Sequence, residues 1–98
     1  MLNGKQRAYL RSIANGIKPI TQIGKEGVSD AFLKQLSEAL EAREIVKVTV
    51  LENSGLDVKE CANEVAQSLR AEFVQAIGSK FTIYRKSKDK PVINIPKK

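Results

Sequence analysis

The run "EIVKVTVL", Glu44 to Leu51, constrains the fold of this chain more than any other segment. It is rich in β-branched residues, which favour extended structure. Its apolar residues fall on both faces of a strand instead of alternating strictly, a pattern typical of strands inside a sheet. The run therefore predicts a central strand, and the remaining segments have to supply its neighbours and its cover.

Helices in the other segments are marked by apolar spacing and by capping residues. Apolar side chains recur every three or four residues from Lys5 to about Ala14, which predicts a helix. Ser29 is a good N-cap, and Asp57 with Glu60 three residues later resembles a capping box. The predicted order is α-β-α-β-α-β-β: helices at 5–14, 30–42 and from 57, and strands at 19–23, 44–51, 73–77 and 81–85.

Connection rules turn this order into a fold class. Each strand–helix–strand crossover favours a right-handed, parallel connection, and the last two strands, separated by Gly78-Ser79-Lys80, predict an antiparallel hairpin. We therefore expect an α/β two-layer sandwich with a mixed four-stranded sheet. The length of 98 residues indicates one domain, 1–98. Residues 87–98 form a basic tail in which "PVINI" (91–95) is a candidate edge strand, and the sequence leaves the order of this tail open.

The positive charge is concentrated at the two ends of the chain. The net charge is +6, with five Lys/Arg against one acidic residue in 1–27 and seven against one in 80–98. The middle, 28–79, carries five against nine. If the ends meet in space, one face has the electrostatic character of a polyanion binder. A generic basic protein with a solvated lysine tail fits the composition equally well.

Several function classes are disfavoured by the residues present. The chain has no histidine, which excludes His-based acid–base chemistry and His metal sites. Cys61 lies on the apolar side of a predicted helix, so a small buried thiol is favoured over a nucleophile. We expect neither an enzyme nor a cofactor nor a small-molecule substrate. No apolar run is long enough to span a membrane and none suits a signal peptide, so we expect a cytoplasmic protein.

One motif indicates a binding function: the turn Gly24-Lys25-Glu26-Gly27, which joins a strand to a helix. Glycine lets a ligand approach the main chain, and a helix that begins just beyond offers unpaired amide groups and a partial positive charge. Lys25 adds a mobile cation for a phosphate, whereas Glu26 opposes a purely electrostatic account. Such a turn is also common in proteins that bind nothing there.

Basic residues elsewhere strengthen the binding interpretation. Tyr84 is a candidate for base stacking, although a core position is the commoner role for such a residue. The low aromatic content of 5% favours backbone and shape contacts over stacking. The predicted surrounding basic surface consists of Arg7, Arg11, Lys18, Arg43, Lys47, Arg85 and Lys86, of which Arg43 and Lys47 are also candidates for structural contacts with Glu44 and the sheet.

The order of these motifs resembles the CRM domain, the chloroplast RNA splicing and ribosome maturation family, in its single-domain YhbY-like form. The resemblance covers nearly the whole chain. Two departures are Asn15, where a histidine is common, and Glu26, at a variable position. The matching pieces are Gln6, Leu10, Arg11, Lys18-Pro19, Ile23-Gly24-Lys25, Gly27, Ala39-Leu40, Arg43-Glu44, Val46-Lys47-Val48, "VQAIG" and "YRKS".

The resemblance implies a fold like the C-terminal domain of a bacterial translation initiation factor. It also implies a GxxG loop that clamps RNA backbone much as the KH loop does. The implied partner is ribosomal RNA or precursors of the large ribosomal subunit. Two alternatives stay open: a module that docks on an acidic protein partner, and a small nucleotide-dependent enzyme whose GKEG turn binds a mononucleotide.

Overall fold

The computed structural model describes residues 2–88 together with Pro91 and Ile93. The candidate edge strand at 91–95 falls mostly outside these residues. Three helices and four strands follow one another in the predicted order, with a short 3-10 helix after the second strand. Their bounds are α1 Gly4–Ala14, β1 Thr21–Ile23, α2 Asp30–Arg43, β2 Ile45–Val50, the 3-10 helix Glu52–Ser54, α3 Val58–Leu69, β3 Glu72–Ile77 and β4 Lys80–Tyr84.

Each of the three helices begins at a polar cap. Asn3 and Gln6 form a reciprocal capping box at the start of α1, with distances of 2.8 and 3.0 Å. The predicted cap of α2 is confirmed, since Ser29 Oγ accepts from the Phe32 amide at 3.1 Å. The predicted cap of α3 is confirmed as well: Asp57 Oδ2 accepts from the Glu60 amide at 2.9 Å. Local sequence thus fixes where the helices start.

The sheet has the order β1-β2-β4-β3, which places β2 inside it as its apolar content predicts. β1 runs parallel to β2, with Ile23 opposite Val50. β4 is antiparallel to both β2 and β3, so β3 points the same way as β2 with β4 between them. The α/β class and the mixed four-stranded sheet are therefore confirmed.

The helices cover both faces of the sheet. The larger core lies between α2, α3 and one face, and includes Leu36, Leu40, Val46 and Phe81. The predicted two-layer arrangement needs one correction, because α1 packs on the opposite face of the sheet. There Leu10 and Ala14 meet Ile45, Val74 and Tyr84. The two-layer sandwich thus carries a third, partial layer. Among the described residues, no helix has the length and apolar character needed to cross a membrane.

Candidate nucleic-acid interface

The turn Gly24–Gly27 lies at the surface, directly after β1. The Gly27 amide donates to the Gly24 carbonyl at 3.0 Å, which closes the turn and leaves Lys25 and Glu26 exposed at its tip. Gly27 has φ +73°, a left-handed conformation that residues with a Cβ resist. The turn geometry alone accounts for glycine at position 27.

Glycine at position 24 has no such explanation inside the fold. Gly24 does not have a positive φ, and a Cβ built on it would meet only Leu51 Cδ1, at an ordinary contact distance of 3.6 Å. An alanine would therefore fit the folded chain at this position. Without a side chain, Gly24 contributes only main chain to the depression beside the turn.

A shallow depression extends from the turn to the first turn of α2. It is lined by the whole Gly24–Gly27 turn together with Gln22, Ile23, Ser29 and Phe32. Because Ser29 caps only part of the helix end, this end presents amide hydrogens and a partial positive charge, and Asp30 offsets part of that charge. The depression therefore combines exposed main chain, a helix N-terminus and the mobile cation Lys25.

The predicted basic residues do not all gather at this depression. The turn lies beside Val50, where β2 ends, whereas Arg43 precedes Ile45, where β2 begins. Five residue-to-residue steps along β2 separate the two ends by about 17 Å. Arg85 also lies at the far end, because its amide donates to the Glu44 carbonyl at 2.8 Å.

Two of the predicted arginines are engaged in holding the fold together. Arg7 donates to the Phe73 carbonyl and lies 3.7 Å from the Glu72 carboxylate, tying α1 to β3. Arg85 donates to the Leu69 carbonyl at 3.0 Å and to the Ser37 carbonyl at 2.8 Å. The structure thus engages these two partly exposed guanidinium groups in contacts between elements.

The other predicted cations are more accessible. Lys18 and Arg43 are exposed and line one groove, which lies between the segment before β1 and the start of β2. Arg11 and Lys86 are exposed elsewhere. Lys47 is half-buried on β2, next to Ile20, whose amide donates to the Lys47 carbonyl at 2.9 Å.

Glu44, a candidate partner for Arg43 and Lys47, has a different role. It is fully buried at φ +66°, and its carboxylate accepts from the amides of Ser87 and Ile93, both at 2.7 Å. Tyr84 is buried nearby against α1, which gives it the core role and not that of a stacking platform. Burial, with a smaller contribution from Glu44, raises the pKa of Tyr84.

Two residues that line the depressions near the turn, Phe32 and Ile20, were not predicted from the sequence to lie there. Helical spacing predicts that Phe32 belongs to the buried stripe of α2, but it is half-buried and lines the depression beside the turn. Its position three residues after the N-cap could have indicated this, because a side chain there lies over the helix start. Ile20 is 37% exposed, although the segment 19–23 predicted only a short strand.

Cys61 is buried, as predicted, among the core side chains of α3. Burial and the nearby carboxylate of Glu64 raise the pKa of its thiol, which lowers the fraction of reactive thiolate. Among the residues that the structure describes, no group of three or more His, Cys, Asp or Glu side chains could hold a metal ion.

These features define a class of protein: a small α/β domain that displays a strand–glycine turn–helix unit on its surface with exposed cations along the adjoining edge. The family model of the CRS1 / YhbY (CRM) domain matches residues 2–85. The chain belongs to this family, as the order of its motifs predicts.

Relatives from two bacteria carry RNA-binding names. The "Probable RNA-binding protein YqeI" of Bacillus subtilis is 45% identical over 96 residues, which cover 98% of this chain and 100% of the relative. An "RNA-binding protein" of Haemophilus influenzae is 28% identical over 97 residues, covering 99% and 97% of the two chains. Neither name describes an enzyme.

A solved structure has the same fold. The solution structure of the hypothetical protein SAV1595 from Staphylococcus aureus superposes with a TM-score of 0.81 and is 49% identical in sequence. The match covers 98% of this chain and 100% of that one. The predicted α/β architecture is therefore shared with an experimentally determined relative.

Proposed function

We propose that this protein is a non-catalytic, single-domain RNA-binding protein that holds RNA backbone at its GKEG turn. The observation that carries the proposal is Gly24, where the fold would accept a Cβ and the depression is instead lined by bare main chain. Family membership and the names of the relatives support RNA as the ligand. Lys25 and the start of α2 supply the charge that phosphate requires.

The finer parts of the proposal concern the partner and the setting. We expect ribosomal RNA, bound during maturation of the large ribosomal subunit in the cytoplasm, as the family resemblance implies. The proposed basic surface consists of the exposed predicted cations and the half-buried Lys47, and excludes the two arginines that hold the fold together. Its proposed members are Gly24, Lys25, Glu26 and Gly27 at the turn, with Lys18, Arg43, Lys47, Arg11 and Lys86 around it.

The turn can be tested by replacing Lys25-Glu26 with Asp-Asp. Both residues are exposed at the tip of the turn, so the variant should unfold at the temperature of the wild type. Its affinity for single-stranded RNA should fall about tenfold, and the slope of log affinity against log salt should be less steep by about 0.7 for each phosphate that the variant no longer binds. Fluorescence anisotropy at several salt concentrations measures both quantities.

Lys59→Asp is the matched control, because it changes the net charge equally and lies in the first turn of α3. It should lower affinity only slightly. A folded Asp-Asp variant that binds RNA as the wild type does would remove the turn from the mechanism. Binding to ribosomal RNA no tighter than to an unrelated RNA of equal length would remove the finer assignment only.

A further inference from the structure

The depression beside the GKEG turn is one end of a longer groove. Phe32 lines this depression and also the next one, which lies between β1 and α2. Ile20 lines the second depression and also the third, where Lys18 and Arg43 are found. Shared lining residues therefore place the three depressions in a row, called here the β1 groove, which runs from Gly24 to Arg43.

The length of the β1 groove suits a short segment of nucleic acid. One wall is α2, which extends about 20 Å from Asp30 to Arg43 at 1.5 Å per residue. The two ends of the groove lie about 17 Å apart along β2, and a stacked single strand advances about 3.4 Å per nucleotide, so about five stacked nucleotides span the groove.

The walls of the β1 groove offer contacts to bases as well as to phosphates. Phe32 and the exposed Ile20 provide apolar surface for base faces. In the described part of the chain, β1 pairs with β2 alone, so the outer edge of this strand presents main-chain groups that can bond to base edges. A duplex, whose base faces are stacked inside, could not use the apolar surface.

Charge along the β1 groove favours a polyanion. The α2 residues that line it are Phe32, Gln35, Leu36 and Arg43, which recur at helical spacing on one stripe of the helix. The acidic residues Asp30, Glu38 and Glu41 fall on other faces of α2. Exposed cations thus stand at both ends of the groove, with Lys25 next to the acidic Glu26 at one end and Lys18 and Arg43 at the other.

We propose that the β1 groove binds a single RNA strand of about five stacked nucleotides, with its backbone on the GKEG turn at one end and on Lys18 and Arg43 at the other. This inference rests on the proposed function of the turn and adds the form of RNA and its path. It also explains how cations about 17 Å from the turn act with it, since one strand reaches both.

Oligonucleotides of two lengths test this path. The probes are a trinucleotide and an octanucleotide of mixed single-stranded sequence, titrated into the whole chain while backbone amide shifts are recorded by NMR. Both should shift the amides of Gly24 to Gly27. The octanucleotide should additionally shift those of Ile20 and Arg43. Equal shift patterns for the two probes would overturn the path.

Affinity measurements separate the two ends of the β1 groove. Lys18→Ala/Arg43→Ala should weaken octanucleotide binding about tenfold and leave trinucleotide binding unchanged, whereas the Asp-Asp turn variant should weaken both. The matched control is Lys34→Ala/Lys59→Ala, two exposed lysines off the groove with the same decrease in charge. The control should show a much smaller decrease for the octanucleotide.

The outcomes distinguish failure of this inference from failure of the proposed function. If Lys18→Ala/Arg43→Ala matches its control while the turn variant still weakens binding, the groove is wrong and the turn stands. If the turn variant is neutral, the proposed function fails as well. An eight-base-pair duplex that binds as tightly as the octanucleotide, or an acidic peptide that displaces it, would also overturn the single-strand assignment.

Discussion

At the end of the sheet where β2 begins, Glu44 and Arg85 point inward beside exposed cations, whereas at the end where β1 stops the charged side chains of the turn stand in solvent. Glu44 is fully buried and accepts two backbone hydrogen bonds, and Arg85 joins α2 to α3 through carbonyl groups. Lys25 and Glu26 are exposed at the tip of a turn. Charged residues thus perform two tasks: Glu44 and Arg85 stabilise the fold, whereas Lys25 and Glu26 lie on the proposed binding surface.

The largest expected effect lies at the inward-facing end. Glu44→Ala removes a buried carboxylate and leaves the amides of Ser87 and Ile93 without this acceptor. Since hydrogen bonds to charged groups contribute about 1.5–3 kcal/mol each, we expect unfolding to become easier by about 3 kcal/mol, measured by urea denaturation. Glu38→Ala, an exposed change on α2, is the control and should shift stability by less than about 0.5 kcal/mol.

Glu44→Gly separates the contribution of the carboxylate hydrogen bonds from that of the backbone conformation. Glu44 has φ +66°, which is costly for a residue with a Cβ and is tolerated by glycine. The glycine variant should therefore be more stable than the alanine variant, by about 1 kcal/mol, although both lack the carboxylate. Equal stability of wild type and both variants would show that neither the hydrogen bonds nor the backbone conformation matters.

Arg85→Ala should have the next largest effect, a decrease of about 2 kcal/mol in the free energy of unfolding. The change removes the donor of the Leu69 carbonyl at the end of α3 and a second hydrogen bond to the Ser37 carbonyl, at a site where the arginine side chain is 22% exposed. Arg85→Lys should recover little of that stability, because an ammonium lacks the planar fork that reaches several acceptors at once. Chemical denaturation of each variant gives the comparison.

Lys86→Ala, a change at the neighbouring exposed residue, is the control for this position. The stability of this variant should match that of the wild type. RNA affinity should be unchanged in folded Arg85→Ala. If the variant instead unfolds like the wild type and binds RNA weakly, Arg85 belongs to the binding surface and the contrast between the two ends disappears.

Most of the fold could be predicted from local features of the sequence. The doubly apolar run at 44–51 predicted the central strand, and Ser29 and Asp57 marked helix starts that the structure confirms. The position of α1 could not be predicted from the sequence, because an amphipathic pattern does not indicate which face of a sheet the helix will cover. That choice depends on contacts with Val74 and Tyr84, far away in sequence.

The candidate site was less predictable than the fold. The exposed turn could be located from two glycines and its place between a strand and a helix. The sequence could not show which cations are available for binding. Arg85 and Lys86 are adjacent in sequence, yet Arg85 is bound to carbonyls and Lys86 is exposed. Only the tertiary arrangement distinguishes them, and it also creates the β1 groove by bringing Ile20 beside Phe32.

At the outward-facing end, alanine at the two glycines should have opposite consequences. Gly27→Ala places a Cβ at φ +73° and should cost about 1 kcal/mol of stability. Gly24→Ala should leave stability near that of the wild type, because the added Cβ only touches Leu51. It should nevertheless weaken RNA binding by holding the backbone of the ligand away from the turn. Thermal unfolding and anisotropy, measured on both variants, test the pair.

The smallest expected effect is a dependence of stability on alkaline pH through Cys61. Burial raises the pKa of this thiol in the folded chain above its ordinary value near 9.0. The unfolded chain therefore loses the proton first as the pH rises, so the contribution to stability is complete below about pH 9 and is lost as the pH passes through the folded pKa. Urea midpoints recorded under reducing conditions between neutral pH and pH 10 should fall less steeply for Cys61→Ala than for the wild type. Parallel curves would mean that the thiol titrates alike in both states, and the alkaline decrease would then have to come from other groups, among them Tyr84, whose pKa is raised in the same direction.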